Sequence, residues 1–179
     1  MRVVAGSARG RRLVVPAGDR TRPTADRVRE SIFNSLYSLG AVEDAVVIDL
    51  FAGSGALGIE ALSRGAARVT FVDTDRSAIA AVRTNLETLG FASVADVVAS
   101  DGPRHLATQP PYDLLLLDPP YAFAAWAELL DLVHDAVVVI ESDREITLPA
   151  AWQTYHVRRH GTTVVTLASA PPALELPSP

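Results

Sequence analysis

The stretch DLFAGSGALG, Asp49 to Gly58, decides how the rest of the chain is read. It closes an apolar run, VVIDLF (46–51), and leads into the helical pattern of residues 56–65, so a buried strand passes through glycines into a helix. Gly53, Gly55 and Gly58 follow the order G-x-G-x-x-G. Without Cβ atoms such a loop turns tightly and lets its backbone approach a ligand, while the helix behind it offers unpaired amides. Alone the motif is weak. Here Asp73 ends the next apolar run, VTFVD (69–73), at a position where a carboxylate can accept from both hydroxyls of a ribose.

Outward from this loop the pattern repeats. ADVVAS (95–100), DLLLLD (113–118) and AVVVIE (136–141) are further short apolar runs, separated by helical segments at about 76–89 and 122–134 and a short one near 103–108. Strands alternating with helices predict a Rossmann-like, doubly wound α/β domain with a mostly parallel sheet covered on both faces. QTYHVRRH and TTVVTLA flank Gly161 and add an antiparallel hairpin at one edge, for seven strands in all. Before the sheet, apolar residues from Val28 to Leu39 keep helical spacing from about Thr24 until Gly40. RVVAGSARGRRLVVP (2–16) reads as two short strands around a glycine-containing loop. The expected division is a basic hairpin extension over 1–22, the main domain over 23–168, and a disordered tail over 169–179.

The strand ends carry the chemistry. Both NAD(P) and S-adenosylmethionine contain an adenosine whose ribose Asp73 could hold. A dinucleotide brings an anionic pyrophosphate to the loop, whereas S-adenosylmethionine brings a sulfonium and an ammonium. Asp49 directs negative charge toward that position, which favours the second ligand, and Asp101 can accept from an adenine amine. Each acid alone is also an ordinary strand-end cap; three at successive strand ends point to a site. The fourth strand ends in DPPY, Asp118–Pro119–Pro120–Tyr121. An exocyclic amine conjugated to a ring is a poor nucleophile. A carboxylate on Asp118 accepting one N–H, and the Pro119 carbonyl accepting the other, would turn its lone pair toward a methyl donor while Tyr121 stacks on the base. The two prolines stiffen the mount.

Composition narrows the classes. With no cysteine there are no disulfides, thiolate metal sites or cysteine nucleophiles, and the four histidines lack metal-ligand spacing, so no metal is expected. No apolar run approaches the roughly 20 residues of a membrane span, and the first residues have no apolar stretch long enough for a signal peptide, so a cytoplasmic protein is expected. All 16 basic residues are arginine. Residues 1–30 hold eight of them against three acids, a charge of +5, while the remainder holds eight against 18, a charge of −10. A basic head on an acidic body is the footprint of a nucleic-acid contact, and Arg2, Arg9, Arg11, Arg12, Arg20 and Arg27 are its candidate residues. A solvated arginine-rich arm is the plainer alternative.

Together, the glycine loop, Asp73, Asp101 and DPPY resemble the class I S-adenosylmethionine-dependent methyltransferases. RVVAGSARGRRLVVP and RPTADRVRESIFNSL narrow the likeness to the bacterial 16S rRNA guanine-N2 methyltransferases of the RsmD type, which act on guanine 966. The motifs run from about Arg2 to Tyr121, and more loosely to Leu167. The resemblance implies that Asp49 and the backbone of Phe51, Ala52, Gly53, Ser54 and Gly55, with Gly58, hold the methionine end of the cofactor. It implies Asp73 for the ribose, Asp101 for the adenine, Asp118 to Tyr121 for the target base, and Arg22, Pro23 and Thr24 beside the pocket. It also implies 16S rRNA as partner, within a small-subunit assembly particle, and a monomeric enzyme. DNA adenine methylation, methylation of a protein glutamine, an NAD(P)-dependent oxidoreductase and a non-catalytic RNA-binding module are the other readings. Asp118, where glutamine methyltransferases usually have Asn, speaks against the second of these.

Overall fold

A computed structural model of the protein describes residues 1–16 and 24–172. Seven strands form one sheet: β1 (Val46–Leu50), β2 (Arg68–Asp73), β3 (Ala95–Ala99), β4 (Leu114–Leu117), β5 (Val137–Ser142), β6 (Gln153–His160) and β7 (Thr163–Ser169). Their spatial order is β3-β2-β1-β4-β5-β7-β6. The first five are parallel; β7 runs antiparallel to β5, and β6 antiparallel to β7. This is the doubly wound α/β sheet with a C-terminal edge hairpin that the strand pattern predicts. From β1 the chain winds outward through β2 to β3, then returns to place β4 on the other side of β1. The order therefore reverses between β1 and β4, and a crevice opens beyond their carboxyl ends.

Helices α1 (Thr24–Ser38), α2 (Ala56–Ser63), α3 (Arg76–Leu89), α4 (Gly102–Leu106) and α5 (Trp126–Leu130) complete the chain. Strand alternation sorts the core into two layers. Val47 of β1 and Leu114 and Leu116 of β4 meet Phe33 and Leu36 of α1, Ile59 of α2 and Val82 of α3. Ile48, Leu50, Leu115 and Leu117 face the opposite way, toward Leu106 of α4 and Leu129 and Leu130 of α5. All four leucines of β4 are fully buried. At about 1.5–3 kcal/mol for each such side chain, they make β4 a firm support for the DPPY loop at its carboxyl end.

Two elements are shorter than their sequence patterns predict. The helix expected over 122–134 is confined to α5. Phe123 donates to the Pro120 carbonyl in a turn instead of starting a helix, and after Leu130 the bonds tighten to i→i−3 before Asp135 enters the left-handed region. The first 16 residues make a single antiparallel bridge, Arg2 to Arg12, in place of two strands. The hairpin itself forms, with Val3 N–H donating to the Arg11 carbonyl, Gly10 N–H to that of Val3 and Leu13 N–H to that of Met1, and other backbone groups bond to the helices beneath. Val4 and Ala5 donate to the buried carboxylate of Glu60, at 2.8 and 2.9 Å, and Ala8 to Ser63 Oγ at 3.0 Å. Val14 exchanges two hydrogen bonds with the Asn85 amide. Val3, Ala8 and Leu13 share the core of α1, α2 and α3, so this arm is built into the domain.

At the other end, β7 includes Ser169, Ala170 is buried, and its N–H donates to Ala136. The expected boundary at 168/169 thus falls inside the last strand. Residues 173–179 of the expected tail lie outside the described residues, as do Arg20, Arg22 and Pro23; Thr24 opens α1. No helix among the described residues is long and apolar enough to cross a bilayer.

Candidate active site

The glycine loop is built by a clamp at each end. Asp49, buried in β1, accepts from the Gly58 N–H at 2.9 Å and ties the strand to the first turn of α2. Gly58 lies so close to β2 that a Cβ there would be 2.4 Å from Phe71 Cε1, so only glycine lets helix and strand meet at this spacing. Gly53 differs: its φ is +54°, and a Cβ would meet nothing within 4 Å. The loop is open on that side, where a ligand could approach its backbone. Phe51, with φ +65°, holds a left-handed conformation that bulky residues rarely adopt. Its ring packs edge-on against Phe123, with centroids 5.2 Å apart, and Phe123 packs in the same way on Trp126 at 5.1 Å. These contacts connect the glycine loop to the loop beyond Tyr121.

Asp73 closes β2. One carboxylate oxygen accepts from Gly53 N–H and the other from Asp75 N–H, both at 2.8 Å. Each oxygen keeps a second lone pair, so the same group can set the loop's shape and still receive a hydroxyl. Asp75 caps α3 through Ser77, whose side chain and N–H hold its carboxyl below the ordinary range. Asp101 caps α4, accepting from Arg104 N–H. Along with Thr74, Arg76, Val98, Ala99, Ser100 and Arg104, it lines a groove of about 610 Å³ beside the ends of β2 and β3.

Asp118 comes directly after the buried β4 and is exposed; Pro119 is buried, while Pro120 and Tyr121 are exposed. Asp49, Asp73 and Asp118 converge closely enough for their charges to act on one another. Burial first, then the Asp118 and Asp73 carboxylates, hold the Asp49 carboxyl well above the ordinary range, opposed by the hydrogen bond from Gly58. The Asp73 and Asp118 carboxylates beside a glycine loop repel a pyrophosphate and suit a cationic ligand.

The raised Asp49 carboxyl should be visible in the pH dependence of stability. In the fold Asp49 keeps its proton to higher pH than in the unfolded chain, so the folded state binds more protons. Stability from this group falls as pH rises from the ordinary carboxylate range toward the raised value. Asp49→Asn removes that fall and leaves an oxygen to accept from Gly58. Urea melts of the free protein between about pH 4 and 8 should show the variant gaining on the wild type as pH rises. Parallel profiles would contradict a proton held at this site.

The arginines of the head divide. Arg29 is buried between Asp26 and Glu60, at 2.9 and 3.4 Å, and serves the fold. Arg11 is exposed but donates to the Thr88 carbonyl, and Arg2 lies 3.8 Å from Asp26. Arg9, Arg12 and Arg27 are exposed, and their guanidinium groups have no hydrogen bond or ion pair among the described residues. Sequence reading missed Phe123, Trp126, Glu60 and Asn85. Glu60 and Asn85 carried a signal, being polar residues on the apolar faces of α2 and α3. The Asn85 amide, which holds Val14, also donates to the Ser54 carbonyl at 3.0 Å and so joins arm to glycine loop.

This sheet order, with a glycine loop and facing carboxylates at the switch point, defines a Rossmann-like methyltransferase of the S-adenosylmethionine-dependent class. The family model described as conserved hypothetical protein 95 matches residues 1–169, and the chain belongs to that family. Among its relatives, ribosomal RNA small subunit methyltransferase D of Escherichia coli is 39% identical over 172 residues, 90% of this chain and 85% of that protein. YlbH of Bacillus subtilis, described as an rRNA methyltransferase, is 43% identical over 160 residues, 83% of this chain and 86% of YlbH. A solved Escherichia coli structure described as methyltransferase yhhF superposes with a TM-score of 0.84 at 38% identity, covering 96% of this chain and 98% of that one.

Proposed function

We propose that this protein methylates the exocyclic N2 amine of a guanine in 16S rRNA, guanine 966, using S-adenosylmethionine. The observation that carries the reading is the convergence of Asp118, at the end of a fully buried strand, with Asp49 and Asp73 around the glycine loop. The relatives named as small-subunit rRNA methyltransferases supply the substrate class.

S-adenosylmethionine, when bound, supplies a methyl group activated by its sulfonium. The residues present fit it: the open side of Gly53 admits a ligand to the loop, and the carboxylate cluster favours a cation. Asp49 with the Phe51–Gly55 backbone and Gly58 would hold the methionine end, Asp73 the ribose and Asp101 the adenine. Arg22, Pro23 and Thr24 would lie beside the pocket. The chain's own part in the reaction is alignment. Asp118 and the Pro119 carbonyl accept the two amine protons and turn the lone pair out of the ring's conjugation, an effect of as much as about 7–11 kcal/mol in the best-aligned cases. Asp118 then holds or takes the proton released by the amine, a further ~10²–10⁴-fold. Tyr121 stacks on a base splayed from its loop, the common mode of sequence-specific RNA reading. Arg2, Arg9, Arg11, Arg12, Arg20 and Arg27 meet phosphates, which position the RNA without choosing the base. The enzyme acts in the cytoplasm as a monomer, on rRNA within an assembling small subunit.

Thermal shift separates the cofactor classes: S-adenosylhomocysteine should raise Tm and NAD should not, and the reverse would favour the oxidoreductase reading. Transfer of labelled methyl to rRNA lacking the modification tests the substrate. Label appearing only in DNA or protein would overturn it.

A further inference from the structure

The C-terminal edge of the sheet carries a second basic surface. From Ile146 to Leu174 the chain contains no acidic residue, yet it holds Arg158 and Arg159 with His156 and His160, in a body whose charge is otherwise strongly negative. All four lie on β6, the edge strand, where Arg158 and Arg159 are exposed and their guanidinium groups have no hydrogen bond or ion pair among the described residues. Successive residues of a strand face opposite ways, so one arginine serves each face of the sheet. Burial and the charges of Arg158 and His160 push the His156 imidazolium toward its neutral form, so the cationic character rests on the arginines.

Register places this surface relative to the target acid. Leu117 of β4 pairs with Ile140, Ile140 with Thr166, and Thr166 with Val157. One residue further along, Asp118 shares a row with Glu141, Val165 and Arg158. Three inter-strand spacings separate Asp118 from Arg158, about 14 Å. Because β7 is antiparallel to both its neighbours, β6 runs in the direction of β4, so Arg158 and Arg159 lie toward the same end of the sheet as DPPY. The N-terminal arm, fixed to α2 and α3 by Glu60, Ser63 and Asn85, occupies the other flank.

We infer that β6 is a second RNA-binding surface, holding the phosphates of nucleotides that flank the target guanine while the N-terminal arm holds the opposite side. The inference rests on the proposed function. Guanidinium groups at a strand edge fit phosphates bidentately, and the edge's unpaired N–H groups add donors of the kind that contact phosphate oxygens. The competing use of charge on an edge strand is to prevent edge-to-edge pairing between copies.

The test is R158Q/R159Q assayed with an rRNA fragment carrying the target guanine across a salt series. Loss of two phosphate contacts should raise KM for the fragment about tenfold, with the loss falling on KM rather than kcat. It should also reduce the log–log salt slope by about 1.4 for single-stranded contacts. S-adenosylhomocysteine should still raise the variant's Tm, which verifies the fold. A variant that keeps the wild-type KM and slope overturns this surface while leaving the function intact. One that self-associates yet keeps its KM shows that the arginines guard the edge, and also overturns it. A wild type that neither binds nor methylates rRNA overturns the function, and this inference with it.

Discussion

Asp118→Ala should lower kcat by about 10³-fold while changing affinity for S-adenosylhomocysteine only a few-fold. The magnitude combines two losses: the acceptor that turns the guanine amine, and the group that holds its proton. The selectivity comes from geometry. Asp118 lies one residue beyond a strand whose four leucines are fully buried, on a mount stiffened by Pro119 and Pro120 and connected through Phe123 to Phe51 of the glycine loop. Removing its carboxylate leaves that frame in place. It also relieves Asp49 of a neighbouring negative charge. Single-turnover kinetics with the cofactor analogue's Kd measured in parallel checks both halves. A variant with near-normal turnover would remove Asp118 from the chemistry. One that loses cofactor binding and turnover equally would make it a cofactor residue instead.

The second large effect is on stability. Glu60→Gln should cost about 3–5 kcal/mol, because it leaves the buried Arg29 without one of its two carboxylates. For a chain of this size that lowers Tm by about 6–20 °C. Glu60 is fully buried, receives the Val4 and Ala5 amides, and pairs with Arg64 at 2.8 Å as well as with Arg29. A glutamine keeps one acceptor oxygen for these donors but presents an amide to the guanidiniums. Hydrogen exchange at Val4 and Ala5 should accelerate beyond the global change, since their acceptor is weakened directly. A Tm within 2 °C of the wild type, with exchange unchanged, would contradict an arm built into the core.

The features legible in the sequence are those whose signals are local. The glycine spacing, the apolar runs and the acids at strand ends are set by neighbours in the chain. They placed β1 to β5, the edge hairpin and the facing carboxylates at the crevice. Strand order could be expected only as a class; the reversal between β1 and β4 is a tertiary fact. The N-terminal segment forms the hairpin that alternation and glycine predict, with Val3 bonded to Arg11, but its docking onto Glu60, Ser63 and Asn85, some 55 to 71 residues away, had no local signal. The place of Arg29 is likewise a tertiary fact. In sequence it belongs to a basic head, yet it is buried as the counter-charge of Glu60. The short α5 reflects the Pro120 turn, which consumes the residues that the apolar pattern of 122–134 would give to a helix.

The most direct test of N2-guanine methylation is nucleoside mass spectrometry of unmodified 16S rRNA, presented in small-subunit particles, after incubation with this protein and S-adenosylmethionine. The expected result is one new N2-methylguanosine, mapped to guanine 966, that is absent when Asp118→Ala replaces the wild type. Methylation of another base or of N6 of adenine in DNA, with 16S rRNA left unmodified, would contradict it.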